Sequence, residues 1–196
     1  MRYLVVHAHP DPASFNRLLC DTAVGALTRA GHDVTLLDLY ADGFVAAMSR
    51  SERAAYHGDN PILDAQVRRY ADAVRSCDGL VFVYPTWWWG LPAILKGFLD
   101  RVFVPGVAFA LDPKSNKVKA GLRNVRHLVG ISTYGSSRTY MRVFNDAGRR
   151  TILRCVRLLT AVRTRTTWLG LYDMDAIGEL ERRAFLAKVD HSLGGR

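Results

Sequence analysis

The sequence predicts a doubly wound α/β fold: a five-stranded parallel sheet in the order 2-1-3-4-5, with helices on both faces. Two observations carry this. An apolar run without polar alternation occurs at residues 80–84, and 2–7 and 122–132 also read as strands of the sheet interior. Between these runs, and between shorter strand signals at 33–39 and 164–169, lie segments whose apolar residues recur at helical spacing. Strands alternating with helices argue a parallel sheet, and right-handed crossovers make 2-1-3-4-5 the economical order. With 196 residues, 49% of them apolar, one domain spanning 1–196 has enough chain for a full core.

The elements follow in order. The first strand, 2–7, runs into the loop His7-Ala8-His9-Pro10-Asp11-Pro12-Ala13, and Ser14 is an N-cap for a helix carrying Leu18, Leu19, Val24 and Leu27. Gly31 ends that helix, and Val34, Leu36, Leu37 and Leu39 mark the second strand. Residues 40–60 are irregular, with a short helix near 49–56. Pro61 opens a helix to Ser76 through Ile62, Val67 and Val74. The third strand stops at Pro85, which cannot donate to a ladder. Trp87, Trp88 and Trp89 then stand in a loop, and Gly90 and Pro92 lead into a helix with Ile94, Leu95, Phe98, Leu99 and Val102, ending near Phe103. Residues 104–123, with Pro105, Gly106, Pro113 and Gly121, form a longer loop containing a small hairpin. The fourth strand occupies 122–132, a polar loop 133–138 and a helix 140–159. The fifth strand alternates and belongs at an edge. Asp175 caps a last helix carrying Ile177, Leu180, Phe185, Leu186 and Val189.

Composition narrows the function classes. No run approaches the roughly 18 apolar residues of a membrane span, and Met1-Arg2 passes at once into a strand, so a soluble, cytoplasmic chain without a signal peptide is expected. Cys20, Cys77 and Cys155 are widely spaced in apolar settings and read as buried free thiols, not as a metal or disulfide framework. His7 and His9 have a ligand spacing but lack a third ligand, so no metal site is expected. The net charge of +9 comes largely from arginines at 138, 142, 149, 150, 154, 157, 163 and 165. Arg150, Arg154 and Arg157 share a helical face opposite Ile152, Val156 and Leu159, which reads as a solvated face more readily than as a nucleic-acid surface.

The predicted strand order brings the carboxyl ends of strands one, three and four together, where ligands bind in open α/β sheets. Three loops converge there. In the first, Ser14 and Asn16 at a helix start, with His9 and Arg17, suit a phosphate, although a plain helix cap explains them equally well. In the second, the three indoles form a platform for a flat ring, because successive residues of an extended loop cannot all face one core. In the third, Ser132-Thr133-Tyr134-Gly135-Ser136-Ser137-Arg138 exposes N–H groups to carbonyl or anionic oxygens.

The residues His9, Ser14-Phe15-Asn16, Pro85 with its aromatic loop, and the string Leu91-Pro92-Ala93-Ile94-Leu95-Lys96-Gly97 with Asp100-Arg101-Val102-Phe103 resemble the NAD(P)H:quinone oxidoreductase family of flavodoxin-like flavoproteins. The resemblance covers the chain to about Tyr140. It implies a flavin, FAD ahead of FMN, with NAD(P)H as co-substrate and a quinone or related aromatic acceptor. Transferred by position, His9, Ser14, Phe15, Asn16 and Arg17 would hold the flavin phosphate. Pro85, Thr86, Trp87, Trp88 and Trp89 would line the ring at its N5 and O4 edge, and Ser132, Thr133, Tyr134 and Gly135 its N1/O2 edge. Tyr140, together with Tyr134, would be catalytic. The family's histidine six positions beyond the catalytic tyrosine is replaced by Asp146, so Tyr140 would act alone or with an arginine such as Arg138. The implied mechanism is ping-pong hydride transfer through flavin N5. The family also implies a homodimer with the site at its interface, no nucleic acid and no stable membrane insertion. The alternative reading is an accessory flavoprotein of a membrane transport system; a basic nucleic-acid binder that lost its flavin is the third.

Overall fold

The computed structural model describes residues 1–58, 60–112, 114–115 and 117–195. Its sheet contains β1 (Arg2–His7), β2 (Asp33–Asp38), β3 (Gly79–Pro85), β6 (His127–Thr133) and β7 (Arg165–Leu171), all parallel, in the order β2-β1-β3-β6-β7. That is the expected 2-1-3-4-5 arrangement, with a separate antiparallel hairpin, β4 (Phe109–Leu111) and β5 (Val118–Ala120), supplying the extra numbers. Pro113 lies outside the described residues.

Alternation along the strands divides the core into two halves. Tyr3, Val5, Val81, Val83, Val129 and Ile131 face α1 (Phe15–Arg29) and α7 (Glu179–Gly194), where Leu19, Leu27, Val189 and Leu193 meet them. Leu4, Val6, Leu80, Phe82 and Leu128 face the other way, onto α3 (Ala65–Ser76) and α4 (Ala93–Val102) through Val67, Tyr70, Leu95 and Phe98. Burial on both faces is why β3 and the middle of β6, Leu128–Ile131, are apolar. Among the described residues, no helix is long and apolar enough to cross a membrane.

The family-like string around Gly97 has a packing explanation. A Cβ at Gly97 would stand 2.2 Å from the carbonyl oxygen of Ala46 and 2.6 Å from its Cα, so α4 touches the 44–46 segment backbone to backbone. Arg101, buried on the same helix, sends Nε and Nη2 to Glu52 Oε1 at 2.9 and 2.6 Å. Glu52 in turn closes a capping box with Ser49 at the start of α2 (Arg50–Ala55). These residues fix how α4 docks, and through α4 they fix the tryptophan loop ahead of it.

Several boundaries depart from expectation. α3 begins at Ala65, not Pro61, because Asp64 accepts from the N–H groups of Gln66 and Val67 and caps the helix there. β3 retains Pro85, paired with Thr133; the missing donor costs nothing at the last strand position, and the next N–H, of Thr86, donates to Thr133 O at 2.7 Å. β6 starts at His127: Leu122 is bonded instead to Leu159, so residues 122–126 are an approach to the strand. The helix expected over 140–159 is broken. α5 (Arg138–Val143) ends at Asn145 and Asp146, both in the left-handed region, and α6 (Ala147–Arg150) passes into a π-helical segment, Thr151–Val156. The last helix begins after Gly178, not Asp175. Cys155 is exposed, whereas Cys20 and Cys77 are buried as expected.

Candidate functional site

β1, β3 and β6 are adjacent, so the loops leaving their carboxyl ends meet. The first loop ends in the N-terminus of α1. Ser14 Oγ accepts from the Arg17 N–H at 3.1 Å, and its hydroxyl proton remains available to a ligand. A helix start carries unpaired N–H groups and partial positive charge, which suits an anion at Ser14, Phe15 and Asn16. Asp11, exposed, turns its carboxylate onto the Ala13 N–H at 2.8 Å. His9 accepts from the Asp11 N–H at 3.1 Å, and its ring lies 6.1 Å from that of Trp87, which joins the first loop to the second. His7 points elsewhere: it is buried and meets Asp38 Oδ2 at 3.2 Å. Burial lowers the pKa of His7 against the opposing pull of Asp38. Among the described residues, no cluster of three His, Cys, Asp or Glu side chains is placed to hold a metal.

Two of the expected phosphate residues are placed very differently. Asn16 is buried, donates to Thr133 Oγ1 at 3.4 Å, and its Oδ1 has no partner among the described residues. Either orientation of the amide therefore leaves one polar atom for a ligand. Arg17 is held by Asp21 at 2.8 Å and Asp38 at 2.9 Å, which draws its guanidinium toward β2. Phe15 packs against the α1/α7 half of the core beneath Arg182, 6.0 Å from its ring, so its backbone and not its side chain serves the loop.

The tryptophan loop is a miniature hairpin. Trp87 and Gly90 exchange both backbone hydrogen bonds, at 3.3 and 2.9 Å, leaving Trp88 and Trp89 as the two turn residues at φ 48° and 56°. Positive φ at both turn residues is the type I′ pattern, which normally takes Asn-Gly. For bulky residues the left-handed region costs about 1–2 kcal/mol each. Such strain clusters at ligand-contacting segments. Trp88 is 91% exposed, so core packing does not explain it. Trp89 rests on Phe144, ring centroids 4.8 Å apart.

The third loop leaves β6. Ser132 and Thr86 share a hydroxyl hydrogen bond of 2.9 Å, tying loops two and three together. Tyr134 is buried; its hydroxyl donates to Asp146 Oδ2 at 2.9 Å and its ring stacks on Tyr172 at 4.5 Å. Burial, reinforced by the Asp146 charge, raises the Tyr134 pKa, so the phenol keeps its proton. Tyr140 is exposed on α5, its ring parallel to Phe144 at 6.2 Å. Between the second and third loops lies a cavity of about 260 Å³ lined by Thr86, Trp88, Trp89, Tyr134, Gly135, Ser136 and Met141.

Of the expected site residues, Thr86, Trp88, Trp89, Tyr134 and Gly135 line the cavity; His9, Ser14, Phe15, Asn16, Pro85, Trp87, Ser132 and Thr133 lie on or beside the three loops outside its lining, as do Arg17 and Tyr140. Sequence reading missed Met141, Phe144 and the Tyr134–Asp146 bond. Met141 and Phe144 fall inside the helix expected over 140–159, and the sequence sign of its break is Asn145-Asp146.

A family model described as flavodoxin-like fold matches residues 1–160. The chain is 33% identical over 154 residues to NAD(P)H dehydrogenase [quinone] 1 of Rattus norvegicus, covering 71% of this chain and 56% of the relative. It is 32% identical over 138 residues to an uncharacterized NAD(P)H oxidoreductase of Haemophilus influenzae, covering 70% and 66%. The chain spans little more than half the length of the quinone dehydrogenases it matches. Among solved structures, Smu.1420 from Streptococcus mutans UA159 superimposes with a TM-score of 0.85 at 29% identity, covering 99% of both chains. The fold is also that of the NAD(P)H:quinone oxidoreductase from Methanothermobacter marburgensis, with a TM-score of 0.79 at 23% identity over 99% of this chain and 96% of that one. Sheet order, loop placement and matched sequence agree, and the chain belongs to the flavodoxin-like fold family, within it to the NAD(P)H:quinone oxidoreductase family.

Proposed function

We propose that the protein is a flavin-dependent oxidoreductase that takes electrons from NAD(P)H and delivers them to a quinone or a related flat acceptor. The observation that carries this is the strained Trp88-Trp89 turn, which faces a cavity whose far side offers hydroxyls and backbone N–H groups. FAD or FMN, when bound, would supply the redox chemistry, a two-electron transfer from nicotinamide to acceptor. Ser14, Phe15 and Asn16 would hold its phosphate end through the start of α1, and the unpaired Asn16 amide atom would be free to hydrogen-bond it. Pro85, Thr86 and the indoles hold one ring edge. Ser132, Thr133 and Gly135 offer donors to the other, where negative charge collects on reduction. Tyr134 is a positioning residue, its hydroxyl committed to Asp146. Tyr140, exposed beside Phe144, is the group able to meet an aromatic acceptor and give it a proton.

The cavity is open, and Trp88, Tyr140, Val143 and Phe144 form an exposed apolar surface around it. A homodimer that buries this surface would enclose the acceptor site. The test is anaerobic titration of the flavin-loaded protein with NADPH, followed by a benzoquinone. Bleaching and full return of the visible flavin bands are expected. Flavin that binds but is not reduced by either nicotinamide would support the accessory reading instead.

A further inference from the structure

We propose that a groove beside the ring cavity, built from α5, α6 and the π-helical segment against β7, binds the phosphate groups of the nicotinamide donor and makes the site select NADPH over NADH. This rests on the oxidoreductase reading and names its donor.

Five guanidinium groups, those of Arg138, Arg142, Arg149, Arg150 and Arg154, line this groove of about 410 Å³. Asp146 is the one carboxylate in the lining, and both its oxygens are engaged, by the Tyr134 hydroxyl and by the Arg149 N–H. Among the described residues, none of the five arginines has an ion-pair partner. Elsewhere among those residues Arg2, Arg17, Arg29, Arg75, Arg101 and Arg183 are paired with carboxylates, whereas others such as Arg50, Arg69 and Arg123 are not; what sets the five apart is that they line one groove. Arg157, one turn beyond the groove, donates to the carbonyls of Ala161 and Val162. The solvated face expected from the sequence holds: Arg150 and Arg154 are exposed, as are Arg138, Arg142 and Arg149. Ile152 and Val156 are buried opposite, but Arg150 and Arg154 converge with three further arginines instead of dispersing.

Cations gathered in this way repel one another, and a ligand carrying several negative charges relieves that repulsion. Guanidinium forks match phosphate oxygens two at a time. Arg149 and Leu153, and likewise Arg150 and Arg154, stand four residues apart, one helical turn, and all four line the groove. The groove also continues the ring cavity: Met141 lines both, and the Tyr134–Asp146 hydrogen bond joins a lining residue of one to a lining residue of the other. A molecule with a flat ring in the cavity and a string of phosphates beyond it matches this surface. NADPH has a pyrophosphate and a 2′-phosphate; NADH lacks the second.

The test uses the full chain and three probes: adenosine 2′,5′-bisphosphate, adenosine 5′-monophosphate and inorganic tripolyphosphate, titrated by calorimetry at low salt with and without flavin. The bisphosphate is expected to bind at least about tenfold tighter than the monophosphate, the range of one or more charge-assisted contacts. Arg150→Ala/Arg154→Ala should abolish that preference and bring the NADPH-to-NADH ratio of kcat/KM toward one. Arg150→Lys/Arg154→Lys, which keeps the charge but loses the fork, should restore part of it. Equal binding of the two nucleotides, or a preference that survives the double alanine variant, would overturn the proposal. So would tripolyphosphate binding more tightly than the bisphosphate, which would mark a site for free polyphosphate. Because the nucleotide titration does not need turnover, an inactive protein that still prefers the bisphosphate would refute the oxidoreductase reading and leave the groove assignment standing.

Discussion

Asp146, expected from the resemblance to stand in place of a histidine, has a structural task. It sits at φ 34°, caps α6 by accepting from the Arg149 N–H at 3.0 Å, and receives the buried Tyr134 hydroxyl at 2.9 Å. Asp146→Ala would remove all of this. The lost hydrogen bond to a charged group costs about 1.5–3 kcal/mol, the lost cap about 1 kcal/mol, and alanine in the left-handed region about 1 kcal/mol or more. The sum, about 4 kcal/mol, is a large share of the roughly 5–15 kcal/mol that holds a typical domain. Asp146→Asn keeps the cap and tolerates the backbone, so it should cost about 1–2 kcal/mol. The assay is urea unfolding of Asp146→Asn, Tyr134→Phe and the double variant. If the Tyr134–Asp146 bond joins the third loop to α6, the cycle should give a coupling of about 1–2 kcal/mol. Additive effects within about 0.3 kcal/mol would refute it. Asp146 would then be a plain helix cap.

Gly97→Ala, which drives a methyl group into the Ala46 backbone, should cost more than about 2 kcal/mol by chemical denaturation and reduce flavin retention by shifting α4. Trp88→Asn should leave stability unchanged or slightly higher, since a 91% exposed side chain in the left-handed region gives way to a residue that accepts it. The same change should weaken flavin binding about three- to tenfold, read by fluorescence titration. His127 predicts a pH dependence. Burial, with the charge of Arg165 adding to it, pushes its imidazole down to about 4. Below the usual value of about 6.5 the unfolded chain takes up a proton that the native one refuses. The His127 contribution is therefore intact above pH 6.5 and lost as the pH falls toward 4. In His127→Gln, unfolding free energy should fall less steeply over that interval; an identical slope would show that other groups carry the acid sensitivity.

The sheet was legible because strands buried on both faces need apolar sequence, and the middles of β1, β3 and β6 have it. The strand order followed from crossover handedness. Boundaries slipped where a side chain, not periodicity, decided them: Asp64 claims the start of α3 from Pro61, and Leu122 pairs with Leu159 and so leaves β6. The helix expected over 140–159 is interrupted although its apolar period continues across Asn145-Asp146, because the backbone turns left-handed there. The three loops of the candidate site could be found from the ends of the strands and from residues such as Ser14 and the tryptophans. What could not be read was commitment. Nothing in the sequence says that Arg17 is spent on Asp21 and Asp38 while, among the described residues, five later arginines have no carboxylate partner, since those pairings form only when the helices dock. Cys155 escaped burial for the same reason: it lies on the outward side of the π-helical segment, whose residues do not keep α-helical spacing.

The central claim is that the loops after β1, β3 and β6 form one flavin site. Its most direct test is equilibrium titration of the flavin-free protein with FMN and with FAD, following quenching of the tryptophan and flavin fluorescence, on the wild type and on Asn16→Ala. The account predicts saturation at one flavin per chain with at least one of the two, and affinity reduced about tenfold in the variant, in line with one buried hydrogen bond. Absence of saturable binding of either flavin by the folded wild type would contradict it.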